Sequence, residues 1–163
     1  MLALFDGAAI DDHLFVQGAH MVYGWMPTVL SIKYDRLPDA LGALRQLQLV
    51  EDVPLGPTQW TALAEAVNNS LVGASKLAHF VAPQRAAIWD SKVIRYLVRG
   101  HASTARPAIQ RRAPHVTSFM RYQSAMRAAR GGVRATSLKE KVSGRLGYAV
   151  SELRAMELTM FCS

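Results

Sequence analysis

The sequence predicts an all-α protein: seven to nine short helices around one core, in a single compact domain. Three observations carry this reading. Apolar residues recur at helical spacing in segment after segment, no period-two alternation lasts long enough for a sheet, and capping or breaking residues fall at the ends of the periodic runs. At 163 residues the chain is long enough to bury a core without disulfides or a structural metal. Half its residues are hydrophobic and 19% are charged, which excludes a disordered composition.

The first periodic run is Ile10 to Tyr23, with Asp11 and Asp12 suited to a helix N-terminus and Gly24 and Pro27 closing it. The segment 25–34 contains the run VLSI, which fits a short strand; no partner strand is evident, so the expectation is a helix opening near Pro27 and Thr28. Pro38 suits the first turn of the next helix, whose leucines fall at 41, 44, 47 and 49. EDVPLGPT is a loop, and Thr58 is the expected cap of a helix reaching Ala66, with Trp60, Leu63 and Val67 on one face. Asn68, Asn69 and Ser70 interrupt the pattern, which resumes from Leu71 to Val81 and stops at Pro83. Asp90 is the expected N-cap of a helix over Ser91–Val98. The stretch from Gly100 to Pro114 reads as a basic loop. Thr117–Arg130 is helical, with Arg121, Arg127 and Arg130 on a broad side, and Gly131-Gly132 ends it. Ser137 with Glu140 has capping-box spacing and is expected to open a short helix ending at Gly147; Ser151–Phe161 is the last.

The charge is unevenly placed. Residues 1–70 form an acidic, apolar half with a net of −5, and residues 71–163 a basic half with a net of +12. That asymmetry points to a polyanion, most often nucleic acid, met by the basic half; its bland counterpart is two halves that complement each other and leave a solvated basic face. One cysteine, Cys162, excludes an intramolecular disulfide and a cysteine-cluster metal site and fits a reducing, cytoplasmic setting. No apolar run is long enough to span a membrane, and Asp6, Asp11 and Asp12 interrupt the opening stretch, so neither a membrane anchor nor a signal peptide is expected. The five histidines have no metal-ligand spacing, and Ser75 and Ser91 lack a nucleophile-elbow context; neither metal nor cofactor is expected.

The stretch Gly73–Val98 organises the rest. Gly73 reads as a turn before a helix, where exposed N–H groups attract phosphate, with Ser75 or Ala74 in the first turn and Lys76 close by. The plainer reading is a tight turn and a solvated lysine. Asp90 is first a cap. As a cap it also has the fixed direction that a catalytic carboxylate needs. Trp89 or Trp25 is either a stacking platform for a base or a core anchor.

The fragments SLVGASKLAHF and IWDSKVIRYL resemble the helix-hairpin-helix DNA glycosylases, whose motif reads L-P-G-V-G-x-K-x-A followed by V-D-x-H-V. The resemblance covers about 30 of 163 residues. It implies an all-α fold and makes Gly73 the second hairpin glycine, Lys76 the Schiff-base lysine of the bifunctional members, and Asp90 the catalytic aspartate. Ser70-Leu71 stand where the family has Pro-Gly, and Lys92 where it has histidine. In that mechanism Asp90 stabilises the oxocarbenium-like sugar of a flipped nucleotide while Lys76 attacks C1′. Lys92, Arg95, Arg99, Arg111 and Arg112 would grip phosphates. The expectation is therefore a DNA-binding protein of glycosylase/lyase type. The alternative is a non-catalytic protein on the same scaffold that binds an acidic partner.

Overall fold

The computed structural model describes residues 4, 5, 7, 9–50, 53–100 and 116–163, the side chains of 98–100 excepted. Four of the helices begin where a side-chain oxygen accepts an orphaned N–H of the first turn. Helix α1 (Asp12–Tyr23) is capped by Asp11, whose carboxylate accepts the Leu14 N–H at 2.8 Å. A 3-10 turn, Tyr34–Arg36, leads into α2 (Leu37–Leu49), with Pro38 in its first turn. Helix α3 is Pro57–Ala66 and α4 is Leu71–Val81, where Ser70 Oγ accepts the Gly73 N–H at 3.1 Å. Helices α5 (Ser91–Gly100), α6 (Val116–Ala129), α7 (Val133–Leu146) and α8 (Glu152–Cys162) complete the order. Ser151 caps α8 by accepting the Arg154 N–H at 3.0 Å. The fold is all-α, with eight α-helices and no strand among the described residues.

Three sequence expectations are corrected. No helix opens at Pro27 or Thr28; the chain bends at 26–28 and continues without helix to Lys33, and Ile32 forms an isolated antiparallel bridge with Val67. Asn68 is the cause. Its side chain accepts the Ser31 N–H and donates to the Val29 carbonyl, both at 2.8 Å, so the backbone bonds a helix would need are already made. Asn68 and Asn69 reach this arrangement in the left-handed region, at φ 59° and 50°, which asparagine tolerates. Thr58 is not the cap of α3: Gly56 is, and its N–H is taken by Gln59 Oε1 at 2.8 Å. Nor does Ser137 open α7. The helix starts at Val133, directly after the Gly131-Gly132 turn, because Glu152 accepts both the Gly131 N–H (2.7 Å) and the Thr136 hydroxyl (3.0 Å).

Contacts divide the chain into two compact units, Met1–Arg85 and Ala86–Ser163. In the first, α2 packs on α3, α3 on α4 and α1 on α4, burying Phe15, Leu44, Leu47, Leu63 and Leu77 almost completely. Each such side chain contributes about 1.5–3 kcal/mol, enough to hold helices of 10–13 residues that are marginal alone. The three arginines of this unit serve its fold. Arg85 closes the C-terminal end of α2 by donating to the Leu47 and Val50 carbonyls, Arg45 donates to the Ile10 carbonyl, and Arg36 pairs with Glu65.

The second unit is built on the segment 86–89, which runs without helix through its interior. Gln123 of α6 grips both backbone groups of Ala87, at 3.0 and 2.6 Å. Tyr122 donates to the Ile88 carbonyl at 2.9 Å, and Glu157 of α8 accepts the Ile88 N–H. Side chains here do what a neighbouring strand would do in a sheet. Trp89 then fills the core against Phe119 and Tyr122, at ring separations of 5.9 and 5.0 Å.

Candidate nucleic-acid interface

Ala86–Ser163 holds fourteen basic and four acidic side chains, a net of +10. Three of those four carboxylates are engaged by backbone N–H groups. Asp90 accepts the Lys92 N–H at 2.9 Å and so caps α5, Glu152 accepts that of Gly131, and Glu157 that of Ile88. The Gly131 N–H, with the Thr136 hydroxyl and nearby Lys139 and Arg130, outweighs slight desolvation and holds Glu152 below the usual carboxylate range. Glu157 behaves oppositely. It is buried, and burial pushes its carboxyl up to about 7 although the Ile88 N–H and Arg154 pull it down. The same burial, and the nearby Glu157 charge, raise the Tyr122 phenol.

The cations lie outward. On α7, Arg134, Lys141 and Arg145 are all exposed and spaced i, i+7 and i+11, a single row along one helix face. It spans about 16 Å at 1.5 Å per residue. The sequence reading misses this row because it starts the helix at Ser137 and leaves Arg134 in a turn. On α5, Lys92 and Arg95 are exposed, with Tyr96 beside them at i+4 from Lys92. Lys92 Nζ sits 4.0 Å from the centre of the Phe161 ring on α8. Between these two helices lies a cleft of about 150 Å³, lined by Lys92, Arg95 and Tyr96 from one and Met160, Phe161 and Cys162 from the other.

The residues singled out from the sequence fall in different places. Lys76 is half-buried on α4 in the first unit, and Asp90 half-buried at the head of α5 in the second. Gly73 and Ser75 are corrected as phosphate contacts. Both are buried inside the first unit, Gly73 in the first turn of α4 rather than before it, and the Ser75 hydroxyl donates to the Val72 carbonyl at 3.0 Å. Gly73 is glycine for a packing reason: a Cβ there would collide with the Tyr23 ring, whose hydroxyl reaches the Val67 carbonyl at 3.1 Å. Trp89 is corrected as a stacking residue, since only 2% of it is exposed. Lys92 and Arg95 are accessible. Arg111, Arg112 and the Arg99 side chain lie outside the described residues, as does most of the expected basic loop. His79 is buried on α4, and among the described residues no group of three or more His, Cys, Asp or Glu side chains is placed to hold a metal.

No protein-family model, curated protein or solved structure matches this chain. The described residues also contain no helix long and apolar enough to cross a membrane.

Proposed function

We propose that this protein binds nucleic acid, with the second unit holding the phosphate backbone. What supports this is a +10 net charge, three of four carboxylates engaged by backbone N–H groups, and the exposed row Arg134, Lys141 and Arg145 on one face of α7. Phosphates neutralised by such a row release counterions. Affinity for a DNA duplex therefore falls with the logarithm of salt concentration, with a slope near −0.9 per phosphate contacted. Reversing Arg134, Lys141 and Arg145 together to glutamate should lower that slope by about 2–3. Failure to bind a duplex at low salt, together with binding to polyglutamate, would replace this reading with that of an acidic protein partner.

The base-excision chemistry implied by the glycosylase resemblance is a second proposal. Its support is Asp90, a carboxylate held in one direction by the Lys92 N–H. Borohydride trapping on a duplex with an abasic site tests it. The adduct is expected with the native chain and lost in Lys76→Ala; no adduct with the native chain removes the lyase role and leaves the binding proposal standing.

A further inference from the structure

The cleft between α5 and α8 adds, to the cations that a backbone-binding surface requires, two features that such a surface does not. Two exposed cations, Lys92 and Arg95, stand on its α5 wall. Two aromatic rings border it, Tyr96 and Phe161, 42% and 40% exposed. Its volume, about 150 Å³, is well below the ~300–1,000 Å³ of pockets that enclose a drug-sized ligand, so it receives one planar group of something larger.

We infer that this cleft receives one unpaired nucleotide of a nucleic-acid strand, the base against Tyr96 and Phe161 and its phosphate on Lys92 and Arg95. The inference rests on the nucleic-acid reading and narrows it. A base inside a duplex is stacked on both faces and offers only its edges, whereas aromatic side chains bind a base through its free face. An unpaired nucleotide meets that condition. The Lys92 ammonium covers the Phe161 ring. An arriving base takes over that ring face while the ammonium transfers to the phosphate, so both lining residues keep a partner in either state. A duplex running along α7 leaves this cleft empty; a strand end or a looped-out nucleotide fills it.

Cys162 supplies the readout. It is the single cysteine of the chain, exposed, and part of the cleft wall. The experiment measures the rate at which a chromogenic disulfide reagent modifies Cys162 alone, with a saturating thymidine oligonucleotide, with a duplex at equal phosphate concentration, and with thymidine monophosphate. The single strand is expected to slow the reaction several-fold and the other two to change it little. Tyr96→Leu and Phe161→Leu keep apolar bulk and remove a ring. Each is expected to weaken single-strand binding by roughly 5- to 150-fold, the range found for loss of one base–aromatic stack, with duplex affinity unchanged as the check that the variant is folded. Unaltered Cys162 reactivity under saturating single strand, or single-strand affinity unmoved in both leucine variants, overturns the inference while duplex binding keeps the broader reading alive. Equal protection by the mononucleotide overturns the strand assignment. Absence of binding to single strand and duplex alike removes both readings together.

Discussion

Replacing Glu157 by glutamine should make the protein more stable at alkaline pH, although it removes an ion pair. The carboxyl is 1% exposed and its pKa is raised from its ordinary 4.5 to about 7, first because burial disfavours the charged form. Above pH 7 the folded chain therefore carries a buried charge that the unfolded chain would hold in water. A displacement of this size corresponds to about 3 kcal/mol lost between pH 4.5 and a pH above 7. The sign follows from proton counting. Between those values the native state binds more protons than the unfolded one, so stability falls as pH rises, by at most about 1.4 kcal/mol per pH unit. Glutamine retains an oxygen to accept the Ile88 N–H and carries no charge. It gives up the Arg154 contact, which is 3.3 Å long and has a 39% exposed partner, worth at most about 1 kcal/mol. Urea denaturation of the native chain and of Glu157→Gln from pH 5 to pH 8.5 measures the effect. The native chain should lose stability across this range, and the variant should show a flatter profile and the higher midpoint above pH 7.5. A native profile that rises through pH 5–7, or a variant that keeps the native slope, would refute the assignment. Glu157→Ala supplies the control: it also carries no charge and should flatten the pH profile, but it leaves the Ile88 N–H without its acceptor and should lie below Glu157→Gln by about 1–3 kcal/mol at every pH.

Other consequences are local. Gly73→Ala drives a methyl into the Tyr23 ring and should cost about 1–3 kcal/mol in thermal denaturation, more than an alanine gains from helix propensity; a stabilised variant would mean that Tyr23 moves aside freely. Asp90→Ala removes the cap of α5 and should cost about 0.5–2 kcal/mol, while Asp90→Asn retains an acceptor for the Lys92 N–H and should be nearly silent in stability. Abolished base release in a stable Asp90→Asn variant would support catalysis. Equal stability loss in both variants would show that the cap bond is not what the carboxylate contributes.

Much of the helical frame is decided by residues a few positions apart. The limits of α4, Leu71–Val81, coincide with the apolar period, and Asp11, Asp90 and Ser151 cap as their side chains dictate, because a cap and its N–H lie two or three residues from each other. The skewed charge is equally a property of the sequence, visible without any fold. Tertiary structure decides whatever depends on distant partners. The extended stretch at 29–33 exists because Asn68, thirty-seven residues beyond Ser31, occupies its backbone. Gly73 is a seat for Tyr23 rather than a phosphate contact, and Trp89 is core because Phe119 and Tyr122 enclose it. Glu157 reads from its helix as one charge among apolar residues; only the Ile88 N–H, sixty-nine residues away, makes it a buried acceptor with a raised pKa. The cleft likewise needs α5 and α8 side by side, so neither Tyr96 nor Phe161 could be recognised from its own neighbourhood. Local hydrogen bonds select where helices start and stop. Which face is buried, which carboxylate is desolvated and which rings meet depend on packing between residues far apart in the chain, and no short-range pattern encodes that.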